Sequence, residues 1–120
     1  MNKLLALAAI AEAATGLALM VVPSLVGRLL LGEELTGVAV PVARILGIAL
    51  LALGVGCWPG WTALCGMLTY NALGALYFLY LAVRGQWLGP LLWPAVVAHA
   101  ALAVLLARVW LAKPASKVPD

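Results

Sequence analysis

Charge is scarce in this 120-residue sequence, in which seven Lys and Arg and four Asp and Glu make up only 9%. The net charge is +3, but cations scattered over several loops and ends form no basic stripe, which argues against a nucleic-acid partner. Cysteine is nearly absent as well. Cys57 and Cys65 are too few for a disulfide scaffold and carry no metal-ligand spacing. The lone His99 supplies no histidine pair for haem. No nucleophile sits beside a base, and no phosphate-cradling Gly loop or metal motif is present, so the expectation is no catalytic residues, no metal and no cofactor.

Hydrophobic residues, in contrast, make up 67% of the chain, with a mean hydropathy of +1.16. A soluble domain this small leaves a large fraction of its surface in water and has no core large enough for so much apolar area. Lipid is therefore the expected solvent. Four apolar stretches, residues 4–22, 38–58, 61–83 and 91–112, are each long enough to cross a hydrocarbon core of about 30 Å as a helix. The fold expected is all-α: a polytopic membrane protein forming an antiparallel four-helix transmembrane bundle. It has one domain, residues 1–112, followed by a polar tail, residues 113–120.

Lys3, the apolar run 4–11 and the triplet Ala11-Glu12-Ala13 imitate a secretory signal with its cleavage site. The run continues unbroken to Val22, which points to a retained first span. The next segment, SLVGRLLLGEELTG, is too short to cross. With Leu25, Val26, Leu29 and Leu30 on one side of Arg28, it reads as a short helix lying in the interface. The uncharged turn Trp58-Pro59-Gly60-Trp61 joins spans two and three as a hairpin with Trp at the membrane boundary. Four spans put both termini on one side. Lys3, Arg108, Lys113 and Lys117 there, against Arg28 and Arg84 opposite, favour an N-in/C-in orientation in an inner membrane.

Each span carries one conspicuous polar residue: Glu12, Arg44, Asn71 and His99. Glu12, Asn71 and His99 lie about 12–15 Å deep at 1.5 Å per residue, and the long Arg44 side chain reaches toward Glu12 from nearer the surface. Lipid offers such groups no partner, so they are expected to meet in one buried polar cluster. Two readings stay open. Either Glu12 pairs with Arg44 while Asn71 and His99 hydrogen-bond across helices, or the cluster is a proton or ligand site. Tyr70, beside Asn71, is a candidate pocket-lining residue.

Gly16 followed by Pro23, then LVGRLLLG, then ARILGIALLALGVGCWPG resemble the first half of small DoxX-like four-helix bacterial membrane proteins. That resemblance implies a four-helix bundle in the bacterial inner membrane, sometimes associated with quinone-linked redox systems. Arg44 matches the Arg that often opens their second helix. AIAEAATGLALM, residues 9–20, resembles the first helix of the small multidrug resistance transporters, whose matching carboxylate, Glu12 here, exchanges protons for a cationic drug in a dimer. The later spans lack that family's aromatic motifs, and Arg44 opposes a cationic substrate. The leading expectation is an accessory or partner-binding subunit in the bilayer, assembled with itself or a larger membrane complex. A proton-coupled transporter using Glu12, and a quinone or lipid site near His99 and Tyr70, are the rivals.

Overall fold

The computed structural model describes residues 2–112; the expected polar tail, with Lys113 and Lys117, lies outside the described residues. Five helices account for most of them: α1 (Asn2–Val21), α2 (Pro23–Leu31), α3 (Ala39–Gly56), α4 (Ala63–Arg84) and α5 (Leu92–Ala112). No strand occurs among the described residues. Four of the helices, α1, α3, α4 and α5, have apolar segments of 18–22 residues, long enough to cross a bilayer.

Local chemistry sets the helix ends. Pro23 opens α2, where its missing N–H removes no intrahelical bond. Gly32 closes α2 with φ +82°, a conformation that costs glycine little because it has no Cβ. Gly85 closes α4 in the same way with φ +71°, and its N–H donates to the Leu81 carbonyl at 3.0 Å. The segment after the first span is thus a true short helix. It is tied to the turn that follows by an Arg28–Glu34 ion pair and by Ser24 Oγ, which donates to the Leu35 carbonyl at 2.9 Å.

The long helices stand in a row, in the order α1, α3, α4, α5. Close backbone approach is confined to neighbours in that order: among the described residues no Cα of α1 comes within 8 Å of one in α4 or α5, and none of α3 within 8 Å of one in α5. Small residues bring these neighbours together. A Cβ built on Gly54 of α3 would lie 2.7 Å from the Ala9 carbonyl oxygen and 3.1 Å from Ala13 Cβ, while Gly16 abuts Gly47 and Leu51. Residues ascending α1 therefore meet residues descending α3. Gly66 of α4 packs against Ala52 and Gly56 of α3 in the same way. Small residues of this kind let helix backbones approach closely enough for extensive dispersion contact, the packing mode common between helices in lipid.

An open row leaves little buried. Val96 is the one buried residue of α5, and the core comprises small or aliphatic residues such as Ala9, Leu19, Ala43, Ile48, Ala52, Leu81 and Ala82. Large apolar side chains line the outside, including Leu4, Leu7, Val21, Leu76, Val83 and Leu111.

Candidate functional site

The row separates the four polar residues expected to cluster. Ala9 and Ala13 face Gly54, so Glu12 stands level with the C-terminal half of α3. Arg44 is some ten residues, or about 15 Å, further along that helix. Rotation separates them too. Residues step about 100° around a helix, and relative to the α1–α3 contact line Glu12 falls on the side of Leu19. Arg44 falls on the other side with Ile48, in a groove that Met20 of α1 overhangs. The two groups open onto opposite faces of the row. The single ion pair among the described residues is Arg28–Glu34, and there Glu12, half-buried, has no ion-pair or hydrogen-bond partner.

Asn71 and His99 do not reach across helices for hydrogen bonds. Asn71 is 2% exposed, and its Nδ2 donates to the Met67 carbonyl of its own helix at 2.8 Å. His99 Nδ1 lies 2.9 Å from the Ala95 carbonyl, a contact that makes this nitrogen the donor. The imidazole lies over Gly74, where a Cβ would come within 3.1 Å of Cδ2. Tyr70 and Phe78 flank it, with ring centroids 5.7 and 5.1 Å away. His99 thus acts as an aromatic packing element joining α5 to α4. Tyr70 also borders an apolar groove of about 420 Å³ between α3 and α4, whose other walls include Ala49, Ala52, Gly56 and Gly66.

Arg44 is where unsatisfied polarity gathers. Its Nε is buried without a partner, and so is the hydroxyl of Tyr77 on the facing helix. Both line the groove of about 390 Å³ with Ile48, Leu73 and Leu76, and both line a second, more enclosed cavity of about 180 Å³ with Arg84, Gln86 and Trp87. Tyr80 borders both spaces, stacks on Tyr77 at 6.0 Å and carries the Arg84 guanidinium 5.8 Å above its ring.

Sequence reasoning named Arg44 but not Tyr77 or Arg84 as its companions. The signal was available: the tight turn at residues 58–61 makes α3 and α4 a hairpin, and Arg44 and Tyr77 stand at similar distances from it on either side.

No metal-binding group of His, Cys, Asp or Glu occurs among the described residues. Comparison of the chain with family models, curated proteins and solved structures finds no match.

Proposed function

We propose that this chain is a small inner-membrane protein of DoxX-like type, oriented N-in/C-in, that serves as an accessory or partner-binding subunit. The observation that carries this reading is the open row. Four helices long enough to span approach closely only between neighbours in the row, and α5 contributes a single buried residue. A closed bundle satisfies its own interior, whereas a row presents two broad apolar faces and two free edges to lipid or to other helices. Small residues on helix faces permit close approach of such neighbours. That surface supports association with a second copy or a larger membrane complex.

The test is crosslinking in native membranes, followed by purification in mild detergent and mass determination. A defined homo-oligomer or a stoichiometric partner is expected. A monodisperse monomer, uncrosslinked across the accessible concentration range, counts decisively against the proposal.

One observation favours a second reading, proton-coupled transport of a small solute. Among the described residues Glu12 is half-buried within an apolar helix and has no counter-ion, and unpaired intramembrane carboxylates often mark proton pathways. Reconstituted protein would then show proton flux that Glu12→Gln abolishes without loss of folding. Absence of flux in the wild-type protein removes this reading.

A further inference from the structure

We propose that the Arg44–Tyr77 cavity binds the phosphate group of an anionic lipid, whose acyl chain follows the adjoining apolar groove. The proposal rests on the membrane reading above, but not on any partner protein.

Buried polar atoms in proteins are nearly always hydrogen-bonded, and each orphan calls for a physical explanation. Here two orphans sit on facing helices and border the same cavity: Arg44 Nε and the Tyr77 hydroxyl. The Arg44 guanidinium presents a planar fork of N–H groups that only donate. Tyr77 supplies a hydroxyl donor opposite it. Arg84 adds a second cation, and Gln86 and the Trp87 indole add further donor groups to the lining.

No Asp or Glu lines the cavity, and among the described residues neither Arg44 nor Arg84 has an ion-pair partner. The missing partner is an oxyanion. Phosphate oxygens match the guanidinium fork, and charge-assisted bonds of that kind are about twice as strong as neutral ones. A volume of about 180 Å³ is several times the ~30 Å³ share of one water molecule.

The depth of the cavity and the groove beside it point to a lipid source. The cavity lies where α3 begins and α4 ends, a helix-terminal level bordered by Tyr80 and Trp87, residue types that favour the headgroup region. The groove spreads across one face of the row from Arg44, Tyr77 and Tyr80, with Ile48 and Leu73 about one helical turn deeper and Leu76 and Met20 at its sides, and its lining is mainly apolar. A polar, cationic pocket near the helix ends that opens into a mainly apolar groove matches an amphiphile with a phosphate head.

The experiment uses the full chain purified in detergent. Native mass spectrometry would follow titration with phosphatidylglycerol, with zwitterionic phosphatidylcholine and with inorganic phosphate. Phosphatidylglycerol is expected to bind at least tenfold more tightly than phosphatidylcholine. Arg44→Gln should weaken phosphatidylglycerol about tenfold, the loss of one charge-assisted contact, and Tyr77→Phe should weaken it several-fold. If Arg44→Gln fails to fold, Tyr77→Phe and Arg84→Gln carry the test. Inorganic phosphate that binds alone with the same Arg44 and Tyr77 dependence assigns the site to free phosphate and overturns the lipid source. Equal binding of both lipids, or phosphatidylglycerol binding that no variant changes, overturns the site itself. A failed search for partner proteins leaves all these outcomes unaltered, so the two proposals fail separately.

Discussion

Gly16 and Gly47 press α1 and α3 together backbone to backbone: a Cβ on either would lie 2.6 Å from the carbonyl oxygen of the other. Neither position has room for a side chain, because the nearest obstacle in each case is backbone that cannot move aside. Gly16→Leu or Gly47→Leu should force the helices apart at a cost of about 1–3 kcal/mol, the usual range for overpacking. Thermal unfolding in detergent would measure it. Gly89→Ala is the control, because nothing lies within 4 Å of the added Cβ, and it should change stability by less than about 0.5 kcal/mol.

His99 joins α5 to α4 by the shape of its ring, so its aromatic character should matter more than its polarity. His99→Ala removes a ring flanked by Tyr70 and Phe78 and should destabilise by about 1–3 kcal/mol. His99→Phe should retain most of that stability. Gly74→Val should mimic the alanine variant from the other side, because the new side chain displaces the imidazole. Denaturant unfolding of the three variants side by side checks the ranking; equal losses for His99→Ala and His99→Phe would instead assign the histidine a polar role.

Tyr77 should show opposite effects in two measurements. In lipid-free protein its hydroxyl is a buried group without a partner, so Tyr77→Phe removes a desolvation cost of about 1–3 kcal/mol and should raise stability or leave it unchanged. In the anionic-lipid titration the same substitution should weaken binding. A variant less stable in lipid-free detergent would show that the hydroxyl already has a partner in the protein.

The Arg28–Glu34 pair should contribute little. Both side chains are more than half exposed, and solvent screens exposed ion pairs to within about 1 kcal/mol. Arg28→Ala should therefore shift unfolding by less than that amount, and the shift should shrink further as salt is raised. A large, salt-independent loss would point to packing by the Arg28 stem instead.

The helices were legible in the sequence because length and apolarity alone specify a bilayer-scale helix. Residues 4–22, 38–58, 61–83 and 91–112 correspond to α1, α3, α4 and α5 within about two residues at each end. The short α2 was also readable, from the apolar side it presents away from Arg28.

The candidate site was only half legible. Depth along each helix placed Glu12, Asn71 and His99 at one level, and a common level suggested a common cluster. Depth is one coordinate, however, and contact needs two more: rotation about each axis and the order of neighbours. The glycines set the rotation. With Gly16, Gly47 and Gly54 at the α1–α3 contact, Glu12 and Arg44 necessarily turn to opposite faces.

The sequence by itself determined that this chain makes four bilayer-length helices, because each apolar run has the roughly 20 residues a spanning helix takes, about twice what a spanning strand needs. Only the tertiary structure decided that the helices stand in a row, that Glu12 and Arg44 are apart, and that Arg44 instead shares a cavity with Tyr77. Those relations arise from which small-residue faces pack closest, a balance of contacts between segments distant in the chain.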